Sequence, residues 1–568
     1  MNIKKLIADS INLNADINVE NLIIEAISAD KGDYCLPCFA FAKTTHKSPM
    51  DIANQIASSL APNELIDHVE VVAGYVNFFL NKSQIANSVL NEYKNENDFK
   101  SNIGNGKVVC VDYGSPNLAK YLHIGHLKSL IVGESLCRLC EQFGYTVKRL
   151  DFAGDYGTPF GKIIGGMQKW GNMEDVKARG NDALQEYYVK FNQMEAEDES
   201  YSQLARDIFK KIEEKDSIIY PIYQQIVDIA LKDGERMFDL LGVKFDDNRG
   251  ENYYNQFVPD VVKKLKNANL LTESQGAQIV DLTAFDMAPS VIIKNDGTSL
   301  YASRDLAAVM DRYNDYHFDK IFYVTDVAQS LHFKQWFKIV ELLGLDYYNK
   351  LEHIAYGRFS LPDGKISSRR GKQAVLVDLI EYAHNKAVDI IKDRNFEIEN
   401  PDDVANKVTR AVLNYSVLKV ERVKDCVFDM EKAFSFEGET APYMQYTFTR
   451  LESILRKSNN SNLDINQDKT YIEILPDYTC FNTDAFELVK MINNFKSILQ
   501  TALDKRDSSI VAKRVMEMCK TFNHFYTTTK VLDGNIATTK AKLNLVLSLK
   551  ECLKTGFNII CIDSLKEM

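Results

Sequence analysis

The sequence predicts an α/β fold: a Rossmann-like, doubly wound parallel-sheet catalytic domain with insertions, preceded by an N-terminal α+β domain and followed by a C-terminal all-α helical bundle. Three observations predict it. From about residue 107, short β-branched runs alternate with amphipathic helical patterns. The run Ser115-Pro-Asn-Leu-Ala-Lys-Tyr-Leu-His-Ile-Gly-His-Leu-Lys-Ser129 joins the first such strand to the first such helix through a turn. From about Asn400 only helical periodicity remains.

In chain order, residues 1–103 form the first unit, with helical patterns toward both ends of 16–60 and strand-like runs at 69–73 and 75–80. The polar stretch 95–106 reads as a linker. Residues 104–400 form the second unit. Its first strand is 108–111, and a helix starting near His123 follows, with Leu127, Leu130, Ile131, Leu136, Leu139, Cys140 and Phe143 at helical spacing. Runs at 147–150, 291–294 and 321–324 supply further strands of the same parallel sheet. From about 172 to 276 the alternation stops, and charged helical patterns at 201–216 and 219–241 mark an insertion between the two halves of the sheet. Residues 401–568 read as consecutive helices, among them 404–419, 441–457 and 485–503, with a loose loop over 458–468.

Composition narrows the function classes. At 568 residues the chain exceeds one hydrophobic core. A net charge of −11 and a pI near 5.5 argue against indiscriminate nucleic-acid binding. They leave room for one folded RNA read by a local basic face with stacking aromatics, which 28 Tyr and 30 Phe can supply. No apolar run reaches the roughly 18 residues needed to cross a bilayer, and the first residues lack the apolar core of a secretory signal, so a cytoplasmic location away from membranes is expected. The 10 scattered cysteines fit reduced thiols. Two Cys-x-x-Cys pairs, Cys35/Cys38 and Cys137/Cys140, could hold zinc between them, but the second pair lies inside an apolar helical pattern, so core packing is expected and structural zinc is not.

The turn after the first strand carries the chemistry. A helix N-terminus at the carboxyl end of a parallel strand offers unpaired N–H groups and partial positive charge, and His123 and His126 add donors that can follow an anionic phosphate into a transition state. Gly125 leaves room for a flat base. Taken alone, two histidines three apart also fit a solvated turn or half a metal site. Their context is Asp112-Tyr-Gly-Ser-Pro-Asn117 before the turn, Gly154-Asp-Tyr-Gly157 after it, and Gly364-Lys-Ile-Ser-Ser-Arg-Arg-Gly371 later. In these motifs, and along almost the whole chain, the sequence resembles the class I aminoacyl-tRNA synthetases and, within them, the arginyl-tRNA synthetase family.

The resemblance implies an arginine–tRNA ligase that uses ATP with Mg2+, L-arginine and the arginine tRNA, and that works as a monomer. It implies that His123, Gly125, His126, Lys365 and Ser367 contact ATP, with His123, His126 and Lys365 catalytic. Arginine selection needs carboxylates, because a guanidinium is a planar, permanently charged fork of donors. Asp112 and Asp305 are implied to face it, Asn117 to hold the α-amino group, Tyr301 and Gln329 to line the pocket, and Ser115 to be a further arginine-binding residue. The local sequence leaves a second reading for Asp305, an exposed helix-start carboxylate paired with Arg304. Tyr75 and Asn77 resemble the segment that contacts the tRNA elbow, and Tyr443 and Tyr446 the anticodon-binding helix; core packing is the other reading for each tyrosine. One departure from the class-wide Lys-Met-Ser-Lys loop places Ser368 where a second lysine normally helps to stabilise the leaving pyrophosphate. Lys120, three residues before His123, is the expected catalytic substitute, with Arg369 and Arg370 as rivals. Alternatives are another class I synthetase, a nucleotidyltransferase of the same superfamily, and a noncatalytic tRNA-binding paralogue.

Overall fold

The computed structural model describes residues 3–11, 19–26, 31–60, 63–295, 297–362, 375–393, 400–460 and 474–566. The loop with Lys365, Ser367, Ser368, Arg369 and Arg370 lies outside the described residues, as does most of the expected loop 458–468. The chain divides into two compact units.

One unit comprises residues 100–446, 499–513 and 556–568. At its centre four parallel strands lie in the spatial order Leu351–Tyr356, Lys320–Asp326, Val108–Asp112, Thr146–Leu150. Val109, Cys110 and Val111 are almost fully buried, as expected of a strand covered on both faces. The helix Gly125–Gln142 carries the chain from Val108–Asp112 to Thr146–Leu150, and the second half of the sheet starts on the other side of Val108–Asp112. The strand order therefore reverses between Val108–Asp112 and Lys320–Asp326, and a crevice opens at the carboxyl ends of those two strands.

The expected strand near 291–294 is real but belongs elsewhere: Ser290–Ile293 pairs antiparallel with Ala277–Val280 in a separate three-stranded sheet. A short apolar run reports a buried strand, and not which sheet buries it. The fourth central strand, Leu351–Tyr356, was not read from the sequence. The helical insertion is seen as Met173–Arg179, Asn181–Glu197, Ser200–Glu213 and Ile219–Leu241. Its helices pack on Thr158–Trp170 around Phe160, Ile163, Ile164, Leu184, Ile208 and Ile226.

Under the helix Gly125–Gln142, the buried Glu134 accepts from Arg138 Nε at 2.7 Å, Arg149 Nε at 3.0 Å and the Tyr113 hydroxyl at 2.8 Å. The last turn of the chain ends here as well. The Ser135 hydroxyl donates to the Ile559 carbonyl at 2.6 Å, and Asn414 donates to the Cys561 carbonyl at 2.8 Å.

The other unit comprises residues 1–99, 447–498 and 514–555. Its four-stranded antiparallel sheet has the order Ile24–Glu25, Tyr34–Pro37, Tyr75–Leu80, Ile66–Val72. The last two strands form a hairpin through Ala73 (φ 49°) and Gly74 (φ 81°). Two consecutive positive φ values give the twist that suits a two-residue hairpin turn, and a glycine lowers the strain. The stretch read as a linker is partly core. Phe99 is 1% exposed, stacks on Tyr93 at 5.0 Å and meets the edge of Phe495 at 5.7 Å in the helix Thr483–Lys505. One aromatic in a polar run was enough to anchor it. The helices Ala441–Asn460, Thr483–Lys505, Ser509–Thr528 and Ile536–Ile559, each divided in sequence between the two units, follow the periodicity of the C-terminal sequence. Cys35, Cys38, Cys137 and Cys140 are all buried.

Candidate active site

The crevice at the strand reversal has a volume of about 610 Å³ and is lined on one side by Ser115, His123, Gly125, His126 and Ser129. The other side is lined by Thr325, Asp326, Gln329, Tyr356 and Arg358.

The two histidines are held by the backbone of their own turn. Gly125 N–H donates to His123 Nδ1 at 3.0 Å, and His123 N–H donates to His126 Nδ1 at 3.1 Å. An imidazole that accepts at Nδ1 carries its proton on Nε2, which poises His123 as a neutral Nε2 donor; His126 Nδ1 also lies 3.2 Å from the His123 carbonyl, so the turn accommodates either neutral tautomer of that ring. Burial lowers the pKa of His123, helped by the charge of Lys120. Burial, then the neighbouring His123, brings His126 down to about 4. The two rings lie 4.0 Å apart. A Cβ on Gly125 would fall 2.8 Å from His123 Cε1, so here the glycine makes room for the histidine ring itself.

Before the turn the chain crosses the crevice floor. Ser115 takes a left-handed conformation (φ 46°), its N–H donates to Asp151 Oδ1 at 2.8 Å, and its hydroxyl donates to Asp112 Oδ1 at 3.2 Å. Asn117 is exposed and its side-chain oxygen caps Ala119 N–H at 3.1 Å. Asp112 is buried, and its other oxygen lies 2.7 Å from Arg312 Nη1. Burial pushes the Asp112 carboxyl up, and Arg312 pulls it back. The expected guanidinium-facing carboxylate therefore already has a guanidinium partner within the chain.

Tyr301 and Asp305 open the helix Tyr301–Tyr316 on one face, as their spacing required. Tyr301 is 63% exposed. Asp305 pairs with His332, whose Nε2 is 2.7 Å from Oδ2. The Arg304 pairing that local sequence allowed is not formed: Arg304 reaches Glu251 at 3.3 Å and the Ser299 hydroxyl at 3.0 Å instead. Its guanidinium lies between the rings of Tyr156 and Tyr301, at 5.2 and 5.3 Å. Burial, then the charge of Asp112, raises the deeper Asp151 to about 7. Burial likewise raises Glu251 to about 7 and Asp155 to about 6.

Lys120 is not brought to this crevice. Its ammonium lies 5.8 Å over the ring of Tyr188, and it lines a second, smaller cavity beside the insertion helix Ile219–Leu241. Arg358, absent from the sequence reading, does line the crevice. Of the RNA-facing candidates, Tyr75 is 36% exposed against Phe39 while Asn77 is buried in the same strand. Tyr446 is 37% exposed and Tyr443 is half-buried. Arg312, His332 and Asp151 were also missed. Signals for them existed: Arg312 stands seven residues after Asp305 and His332 three after Gln329, each on the same helical face, and Asp151 follows the end of a central strand.

Comparisons with known proteins match the chain along its length. The arginyl-tRNA synthetase N-terminal domain matches residues 1–80, the class I (R) tRNA synthetase catalytic domain residues 87–430, and the DALR anticodon-binding domain residues 444–568. The chain is 37% identical over 574 residues to the arginine–tRNA ligase of Clostridium botulinum, covering 100% of both. It is 37% identical over 567 residues to that of Halothermothrix orenii, covering 99% of this chain and 98% of the other. In fold it is similar to the solved arginyl-tRNA synthetase of Thermus thermophilus, with a TM-score of 0.79 at 22% identity over 96% of each chain. The solved Plasmodium falciparum enzyme gives 0.77 at 24% identity, over 97% of this chain and 96% of the other. With the histidine turn at the strand reversal, a family match over the catalytic domain and full-length relatives of one kind, this chain belongs to the arginyl-tRNA synthetases of class I.

Proposed function

We infer that the crevice activates L-arginine with MgATP to arginyl-adenylate and passes the arginyl group to the 3′-terminal adenosine of the arginine tRNA. The observation that carries this reading is the pairing of two neutral histidines on one wall of the crevice with Gln329 on the other, three residues before His332, the partner of Asp305. No covalent nucleophile is required. The arginine carboxylate attacks the α-phosphate, and the site has only to align the two and stabilise the charge that builds on the phosphates. His123 and His126 donate Nε2–H to those oxygens without a change of protonation. Lys365 and Ser367 reach the phosphates from their loop, and Lys120 joins them by leaving Tyr188. Magnesium arrives on the ATP phosphates as part of the substrate.

Asp305 takes the guanidinium, with Gln329 and Tyr301 beside it. Asn117 and Ser115 hold the α-amino end, and Asp112, paired with Arg312, acts by holding the helix that carries Asp305. Tyr75 and Asn77 in one unit, and Tyr443 and Tyr446 in the other, are the RNA contacts. The reading includes a monomeric, cytoplasmic enzyme; among the described residues no helix is long and apolar enough to cross a membrane.

ATP–pyrophosphate exchange with each amino acid, with and without tRNA, tests this. Exchange is expected with arginine only, and only when the tRNA is present. Exchange driven by another amino acid would overturn the substrate assignment, and robust arginine exchange without RNA would overturn the RNA requirement.

A further inference from the structure

Asp305 holds a partner of the same charge type as the substrate proposed for it. His332 stands in the first turn of the helix Ser330–Leu342, three residues after Gln329, and its Nε2 lies 2.7 Å from Asp305 Oδ2. The side chains of the pair are 33% and 16% exposed, so a ligand can reach it, and His332 follows Gln329, which lines the crevice, by three residues. Among the described residues, His332 is the basic group within ion-pair distance of Asp305, because Arg304 is committed to Glu251 and Ser299. An imidazolium and a guanidinium cannot both sit on one partly buried carboxylate without mutual repulsion.

We propose that His332 is a positioning residue and internal competitor for the guanidinium: it holds the Asp305 carboxylate while the site is empty and gives up its proton when arginine takes that carboxylate. The proposal rests on the assignment of Asp305 to the guanidinium.

The surroundings fit a histidine that is charged only because of Asp305. Burial works against the charged form of His332, but the hydrogen bond and charge of Asp305 outweigh it and raise its pKa above the ordinary histidine value. Two other titratable groups face the pair: Glu251, held by Arg304 and coupled to Asp305, and His353, on the strand Leu351–Tyr356 and coupled to His332. His353 stacks on Phe333 at 4.4 Å and shares a 2.8 Å hydrogen bond with the Thr325 hydroxyl. Burial, then the charges of Arg422 and His332, hold His353 near 4, so it stays neutral and does not compete for the proton. Once a guanidinium neutralises Asp305, only the burial penalty remains on His332, and the neutral ring is favoured. The proton leaves to solvent as arginine enters. Linkage then sets the sign. Arginine binds more tightly as pH rises through the pKa of His332 in the empty site, and its apparent affinity falls as pH drops below that value.

The test measures the arginine KM in aminoacylation from about pH 6 to about pH 8.5, the range over which a histidine of this kind titrates. It compares the unmodified enzyme, His332→Gln and Asp305→Asn, with the KM for ATP as control. Calorimetric titration of L-arginine into the enzyme–tRNA complex in two buffers of unlike ionisation enthalpy counts the protons released. In the unmodified enzyme the arginine KM should rise toward about tenfold per pH unit below the His332 pKa, with a fraction of a proton released per arginine at neutral pH. In His332→Gln the profile should be flat and the release absent. Absence of proton release from the unmodified enzyme would overturn the proposal whatever the variants do, as would release that persists in His332→Gln. An unchanged arginine KM in Asp305→Asn would instead overturn the placement of the guanidinium. A large rise there, combined with a persistent pH slope in His332→Gln, would overturn only the role of His332.

Discussion

Arg312 Nη1 lies 2.7 Å from Asp112 Oδ2, with the two side chains 2% and 5% exposed, and so ties the helix that begins with Tyr301 to the end of the central strand Val108–Asp112. The guanidinium also faces the rings of Phe152 at 5.3 Å and Tyr254 at 5.5 Å. Because Arg312 and Asp305 are seven residues apart, the pair sets the rotation of the helix that presents Asp305. It also balances the charge of Asp112 inside the fold.

Replacing Arg312 with Leu leaves Asp112 buried and unpaired, and should destabilise the unit that contains it by about 3–5 kcal/mol. Adding Asp112→Asn should recover a large part of that loss. Urea unfolding of the four members of this double-mutant cycle measures the coupling, and a coupling near zero would show that the pair is idle.

The proton positions on the paired histidines predict a pH profile. A His126 pKa near 4 means that the ring stays neutral through the working range, so His126 should contribute no inflection to the rate of pyrophosphate exchange between neutral pH and the mid-fives. Its folded-state pKa is lowered relative to the unfolded chain, so the unfolded state binds more protons in between. The stability contributed by the neutral ring is therefore present above the unfolded value of about 6.5 and lost as pH falls from there toward the folded value. Nitrogen NMR of labelled imidazoles would report it directly: an Nδ1-protonated ring, or a His126 titrating near the ordinary value, would refute the assignment.

Gly125→Ala should be an activity variant and not a stability variant. The added methyl meets the His123 ring at 2.8 Å, and the ring is the part free to move. Displacing one donor from a phosphate transition state costs roughly 10²–10³-fold in rate. Adenylate formation should fall by about that factor, with the thermal midpoint nearly unchanged. A variant with normal rate would show that His123 does not act from the position seen here.

The loop signature lacks its second lysine at Ser368, and an active enzyme needs a cation in its place. Lys120→Ala should slow adenylate formation by roughly 10²-fold or more with little change in arginine KM, and adding Ser368→Lys should partly restore the rate. Because Lys120 lies over Tyr188 and its proposed role moves it to the phosphates, fluorescence or crosslinking at that pair should also respond to added nucleotide. Near-normal activation in Lys120→Ala, with a large loss in Arg358→Ala, would transfer the role to the arginine that already lines the crevice.

Local pattern determined much of this molecule. Hydrophobic period marked the strand at 108–111, the helix after it and the C-terminal helices, because period records which face of an element must leave water, wherever the rest of the chain goes. Short spacings carried chemistry in the same way: His-Ile-Gly-His puts both rings in one turn, and four residues put Tyr301 and Asp305 on one face. Tertiary structure alone decided the partners. Asp112 and Arg312 are 200 residues apart in sequence, and Asp305 found His332 in the next helix and not the adjacent Arg304. Lys120 points to Tyr188 in the insertion, Ser290–Ile293 joined an antiparallel sheet, and Phe99 became core in what read as a linker. The physical reason is common to all of these. A side chain's period says whether it is buried, but which charge neutralises it, or which surface covers it, depends on segments that meet only when the chain has folded.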